Sequence, residues 1–471
     1  MTPATTASRV LRMLFWETTV RCNLACAHCR RLESNDADVG DLSPAQGEIL
    51  IEQLAELGRR QPPRGEGVPP LRVAGILPAN RGQDARATKE QGQDARATSG
   101  STGPMPVLVF SGGEPFCRPD LFHLIGRSRQ DGLITALATN GTMIGDEQAR
   151  RIRDSGIARV SVSLDGATAD VHDRMRQIPG AFDRALEGIR HLREHQAPFQ
   201  INVTLTKQNV GQLQEVYDLT RSLGAAALHI FMLVPVGCGQ ILAQTDMLTP
   251  EQYEQILREV YALENRGEIQ VKVTCGPHYE RVKRQCGIEG EKLRSEEGRK
   301  SSPSPLPTFL PSYENTPRHP PSKGCLAGLG VLFVSHRGDV YPCGYLPVNC
   351  GNILEKSLIE IWDGNEDLAR LRDAGALEGK CGICGYKQVC GGCRARAFGM
   401  TGNYLGEEPF CAYDPRTAQR PSGGCGCAAR FGVPPSGGPE ARKRGTPNGR
   451  NEPRNRPTRD SLDGSNGKVS G

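Results

Sequence analysis

No stretch of this 471-residue chain reaches the roughly 18 apolar residues of a membrane helix. Its opening residues, MTPATTASRVLRM, lack the apolar run of a secretory signal. No membrane span is expected, and a cytoplasmic protein is the default expectation. Three segments also carry too little apolar surface to offset the entropy of ordering them. Residues 60–104 are rich in Pro, Gly, Arg and Gln and repeat the heptapeptide GQDARAT. Residues 288–322 are charged and then Ser/Pro-rich, and residues 417–471 are Gly, Pro, Arg and Asn. These are expected to be disordered insertions and a disordered basic tail. What remains suffices for one large domain and a smaller one. An excess of positive charge is likewise missing from that remainder. The net charge is +5, but from residue 417 onward ten Lys and Arg face four Asp and Glu, so the surplus belongs to the tail. A nucleic-acid surface is therefore not indicated.

Cysteine is what the chain has in quantity. Seventeen cysteines without a secretory signal do not read as a disulfide framework. Their grouping points to metal: Cys22, Cys26 and Cys29 near the start, then Cys381, Cys384, Cys390 and Cys393, with Cys325, Cys343 and Cys411 outlying. Between the filler segments, β-rich runs at 14–19, 107–110, 134–139, 160–164, 200–206 and 228–234 alternate with amphipathic segments such as 44–57, 181–195 and 211–223. The first of these opens on Ser43-Pro44-Ala45-Gln46, a capping box with proline at the first helical position. Six strand–helix alternations predict parallel strands joined by right-handed crossovers, as a barrel or an open sheet. From Cys325 the texture changes to a hairpin at 331–341, one helix at 358–371 and cysteine-rich loops, a region held together more by metal than by a core.

Cys22-Asn-Leu-Ala-Cys26-Ala-His-Cys29 sets three thiolates in one loop directly after the first strand, one short of a full 4Fe–4S ligand set. A cluster with an open iron can bind a small molecule; structural zinc completed by His28 is the competing reading. Ser111-Gly112-Gly113-Glu114-Pro115 follows the second strand, Thr139-Asn140-Gly141 the third, and Ser163-Leu164-Asp165-Gly166 the fourth. Short polar residues at successive strand C-termini are where α/β folds bind ligands.

In this order and spacing, these motifs resemble the radical S-adenosylmethionine (SAM) superfamily over about residues 13–275. The resemblance implies an α/β fold, a partial (β/α)6 barrel, with Cys22, Cys26 and Cys29 ligating a 4Fe–4S cluster that binds SAM. It also implies Gly112, Gly113 and Glu114 at the methionine ammonium, Asn140 and Ser163 near the ribose and carboxylate, and Arg174 paired with the carboxylate. The C-terminal cysteines are similar to the SPASM extension, here 323–416 behind a 276–322 linker. By that resemblance Cys381, Cys384, Cys390 and Cys411 hold one auxiliary 4Fe–4S cluster, and Cys325, Cys343 and Cys393 contribute to another. The last cysteine pair is separated by two residues, Gly391-Gly392, where the general pattern has three. Segments such as FWETTVRCNLACAHCR, HIFMLVPVGCG, TCGPHYER and SHRGDVYPCGYLPV resemble the haem b synthases of the siroheme-dependent pathway. That family decarboxylates two propionates of iron-coproporphyrin III to vinyl groups; relatives acting on haem d1 precursors or didecarboxysiroheme, or modifying peptides, are the alternatives. Cys238 stands where that family usually has Arg. The implied partners are an iron-porphyrin substrate and a reductase, flavodoxin or ferredoxin as electron donor. His278, presented after Gly276-Pro277, is a candidate contact to the porphyrin iron or a propionate.

Overall fold

The computed structural model describes residues 10–30, 40–62, 104–287 and 323–417. Apart from a few end residues, the three low-complexity segments lie outside the described residues, and so does the expectation of disorder made for them. Ten strands form one sheet: β1 (Met13–Glu17), β2 (Val107–Ser111), β3 (Ile134–Thr139), β4 (Arg159–Ser163), β5 (Phe199–Leu205), β6 (Ala227–Met232), β7 (Gln270–Thr274), β8 (Val331–Val334), β9 (Asp339–Tyr341) and β10 (Gly351–Asn352). Their order is β10-β9-β8-β1-β2-β3-β4-β5-β6-β7, with β1 to β7 parallel throughout. The sheet is a partial barrel: its end strands are β10 and β7, and inward side chains from β1 through β7 line one cavity.

Two features extend the six-strand expectation. The short run Gln270–Thr274 is a seventh parallel strand paired with β6. The hairpin assigned to a separate small region continues the sheet instead, with β8 parallel to β1 in the register Met13↔Val331 to Trp16↔Val334.

The outer face is covered by helices whose apolar stripes read directly from the sequence. Helix Pro44–Arg60 buries Leu50, Ile51, Leu54 and Leu57. At its start the Ser43 hydroxyl accepts from the Gln46 N–H at 3.3 Å, and the Gln46 amide oxygen accepts from the Ser43 N–H at 2.9 Å. Helices Ala181–Glu194 and Leu213–Ser222 occupy the crossovers expected for them. The stretch read as one helix, 358–371, is two: Leu358–Gly364 and Glu366–Arg372, with Asn365 ending the first and capping the second.

Candidate active site

The inner face of the sheet is thinly clad by comparison. Met13, Phe15, Val109, Ala136 and Ala138 are followed around the curve by Ser161, Ser163, Gln200, Asn202, Thr204 and His229. Small and polar side chains leave the barrel hollow, with a cavity of about 620 Å³. One wall carries Cys22, Cys26 and Cys29; another carries Cys275, Cys325, Cys343 and Cys393; Arg12, Lys272, Lys283 and Lys323 face the same space.

The Cys22–Cys29 loop is pinned from several sides. Ala27 donates its N–H to the Met175 carbonyl (3.0 Å), and the Cys29 carbonyl accepts from Gly239 (3.2 Å). Gly112 and Gly113 pack against the backbone that leads into it. A Cβ on Gly112 would stand 2.4 Å from the Thr19 carbonyl oxygen, and one on Gly113 2.1 Å from that of Arg21. Gly112 also has φ 146°, open to glycine and strained for other residues. Both glycines line the cavity. Glu114 does not: it is fully buried, its carboxylate accepting from the Thr139 hydroxyl (2.8 Å) and the Asn140 N–H (2.8 Å). Burial without a cationic partner in contact pushes its carboxyl up to about 7, against the pull of those hydrogen bonds. Asn140 and Ser163 do face the cavity, and the Asn140 amide donates to Asn23 in the cysteine loop (2.8 Å).

Arg174 is not brought to this group. Its side chain is 53% exposed and pairs with Asp170 one turn away on helix Ala169–Arg176. Arg176 faces inward instead: its guanidinium lies 2.7 Å from the Asp165 carboxylate and donates to the Cys26 sulfur at 3.4 Å. Burial opposes the charge of Arg176, but Asp165 and Cys26 outweigh it and hold the guanidinium above its ordinary value. The signal was in the spacing, since His172, Met175 and Arg176 share one helix face and all three are buried.

The C-terminal thiols separate into two groups. Cys381, Cys384, Cys390 and Cys411 line one small cavity with Arg281, Lys380 and Lys387. Cys325, Cys343 and Cys393 face the large cavity instead. Gly391 (φ 75°) and Gly392 (φ 63°) turn the chain between Cys390 and Cys393, so two intervening residues suffice to send these neighbours to different groups. Between the groups runs a buried ion pair, Arg396 to Glu408 at 3.2 Å, with Glu408 accepting from the Cys393 N–H (2.7 Å) and donating its own N–H to the Cys381 sulfur (3.3 Å). Sequence reasoning missed Cys275, which packs with Cys343 and Cys393 from the end of β7. His278 is not at the large cavity. It is fully buried against the Tyr253 ring (5.9 Å between centroids), and burial, outweighing the opposing effect of Glu408, lowers it to about 4.

Among the described residues no three Cys, His, Asp or Glu side chains stand converged on a metal position. The donor sets fit iron–sulfur clusters by their chemistry: no described cysteine is in a disulfide, and eleven of them are grouped in threes and fours around two cavities.

The radical SAM superfamily model matches residues 16–220, and the SPASM iron–sulfur cluster-binding domain model matches 325–394. An AdoMet-dependent heme synthase of Methanosarcina barkeri is 39% identical, covering 86% of this chain and 97% of its own length. A heme synthase of the same description from Oleidesulfovibrio alaskensis is 36% identical over 87% of this chain and 89% of its own. The fold is similar to that of Streptococcus suis SuiB bound to S-adenosylmethionine, with a TM-score of 0.56 at 16% identity, covering 86% of this chain and 78% of that one.

Proposed function

The chain belongs to the radical SAM superfamily and, within it, to the family of AdoMet-dependent haem synthases, and from that premise we propose that it converts two propionates of iron-coproporphyrin III to vinyls, giving haem b. The observation that carries the substrate is the cavity itself. About 620 Å³ opens between the Cys22–Cys29 loop and the inner thiol group, with Arg12, Lys272, Lys283 and Lys323 around it. Lys272 is held down to about 8, first by burial and then by the neighbouring Arg12. Glu264 and Glu280 line the same cavity and Glu280 pairs with Lys283 at 3.0 Å, so Lys272 and Lys323 are the lysines this reading assigns to an anion, and the substrate brings carboxylates.

Cys22, Cys26 and Cys29 would hold the cluster that binds SAM, with Gly112, Gly113, Asn140 and Ser163 shaping the space beside it. When bound, that cofactor pair would supply hydrogen-atom abstraction from the propionate carbon beside the macrocycle, and the electron released with carbon dioxide needs a one-electron acceptor, which an auxiliary cluster would supply. Arg176 holds positive charge against Cys26, and Asp165 fixes its position. Cys381, Cys384, Cys390 and Cys411 would hold one auxiliary cluster, and Cys325, Cys343 and Cys393 contribute to another. The electron donor is a reductase, flavodoxin or ferredoxin. No described helix is long and apolar enough to cross a membrane.

Spectroscopic titration with iron-coproporphyrin III tests the substrate reading. Lys272→Met should weaken binding about tenfold, the loss of ~1.4 kcal/mol, while SAM cleavage without substrate persists. Unchanged affinity in both Lys272→Met and Lys323→Met would overturn the assignment of the cationic wall to propionates.

A further inference from the structure

The inner thiol group has three members by resemblance and four by geometry. Cys275 ends the turn out of β7, far in sequence from Cys325, Cys343 and Cys393, yet all four line the same cavity. Cys275 and Cys393 are in direct side-chain hydrogen-bond contact, and Cys343 is an electrostatic neighbour of both Cys275 and Cys325. Cys275 packs with Cys343, Cys393, Val234 and Leu346.

The backbone at this position is unusual in the same direction. Cys275 has φ 58°, a left-handed conformation that costs a residue with a Cβ on the order of 1–2 kcal/mol. A residue is kept there when the surroundings over-determine it. Here the buried Arg396 guanidinium donates to the Cys275 carbonyl, and the same side chain donates to the Leu233 carbonyl (3.3 Å) and pairs with Glu408. Arg396 thus ties the end of β7 to the helix that begins just after Cys393, Arg394–Thr401.

We propose that Cys275 is the fourth thiolate of the inner auxiliary cluster, completing Cys325, Cys343 and Cys393. The proposal rests on the reading of this region as an iron–sulfur domain. Its consequence is a coordinatively closed cluster beside the substrate cavity: with four thiolates no iron keeps an exchangeable position, unlike the three-cysteine site at Cys22–Cys29. A substrate carboxylate then meets the cationic wall and not this iron.

The test uses the full chain, reconstituted anaerobically and reduced, read by electron paramagnetic resonance with iron and sulfide analysis. Cys275→Ala should perturb the same auxiliary signal as Cys343→Ala, with loss of about four irons per chain or a displaced spectrum that then responds to added imidazole. The signal altered by Cys384→Ala and the SAM-induced change at the Cys22–Cys29 site should stay as in the parent. Cys275→Ser guards against simple misfolding: it should retain iron, and its spectrum should be shifted by the oxygen ligand. Parent-like iron and spectra in both Cys275 variants, with Cys343→Ala altered, would overturn the proposal. No auxiliary signal in the parent would instead sink the cluster reading on which it rests.

Discussion

Arg174 and Arg176 lie two residues apart on one helix and have opposite surroundings, and their variants should differ accordingly. Arg174→Ala removes an exposed pair to Asp170, worth a few tenths of a kcal/mol, and should leave stability and SAM binding near the parent. Arg176→Gln leaves the fully buried Asp165 carboxylate without its guanidinium, which should cost about 3–5 kcal/mol in thermal or denaturant unfolding. Equal stability of the two variants would contradict this placement. Glu114 makes a second prediction, in pH. Its carboxyl sits at about 7 in the folded chain against about 4.5 unfolded, so the folded state holds the extra proton between those values. Stability from this group is therefore fully present below about pH 4.5 and lost as pH rises through 7, by up to about 3 kcal/mol. Glu114→Gln should flatten that slope in unfolding measured from pH 5 to 8; a parallel slope would show that the carboxyl is ionised throughout. At this scale the sequence was partly legible. Gly112, Gly113, Asn140 and Ser163, read from the strand-end motifs, lie on the cavity lining, whereas Glu114 turns inward to brace β3. Choosing Arg176 over Arg174 required knowing which helix face is buried, and the nearest member of the inner thiol group, Cys325, is 50 residues from Cys275.

Helix and strand boundaries followed the local chemistry closely wherever a cap was present. The Ser43–Gln46 box started its helix where expected, but Asn365 shows how a polar residue inside an apolar period divides one helix into two. Its side chain accepts from the Leu368 N–H (3.0 Å) and donates to the Cys350 carbonyl (3.1 Å), so Asn365→Ala should cost about 1 kcal/mol, read as a lower melting temperature. The seventh strand, Gln270–Thr274, shows in the sequence only as a strand-like run before His278; pairing with β6 defines it. The turn at Gly391-Gly392 carries a sharper prediction. A Cβ on Gly392 would stand 2.3 Å from the Arg394 guanidinium and 2.9 Å from Glu408 Cβ, at a φ that disfavours any side chain. Gly392→Ala should lower auxiliary iron while the Cys22–Cys29 site still cleaves SAM; full iron content would show that the turn tolerates the strain.

The half-barrel brings the Cys22–Cys29 loop and the inner thiols Cys275, Cys325, Cys343 and Cys393 to one cavity, and that arrangement was only half visible in the sequence. Parallel strands and a C-terminal metal region were legible from strand–helix alternation and cysteine spacing. That β8 adds to β1 was not, because strand pairing across more than 300 residues leaves no local mark. The pairing brings the hairpin to the first cysteine loop, where Glu17 binds Arg30 (2.7 Å) and His336 (3.1 Å) and so links β1, the loop's end and the hairpin turn. The account's central claim is that this cavity holds an iron-porphyrin against the SAM site. Anaerobic turnover with iron-coproporphyrin III, SAM and a reductant, followed by mass spectrometry, tests it most directly. The account predicts a product lighter by carbon dioxide and two hydrogens at each of two propionates, with 5′-deoxyadenosine formed in step. Continued SAM cleavage with the porphyrin recovered at unchanged mass would contradict it.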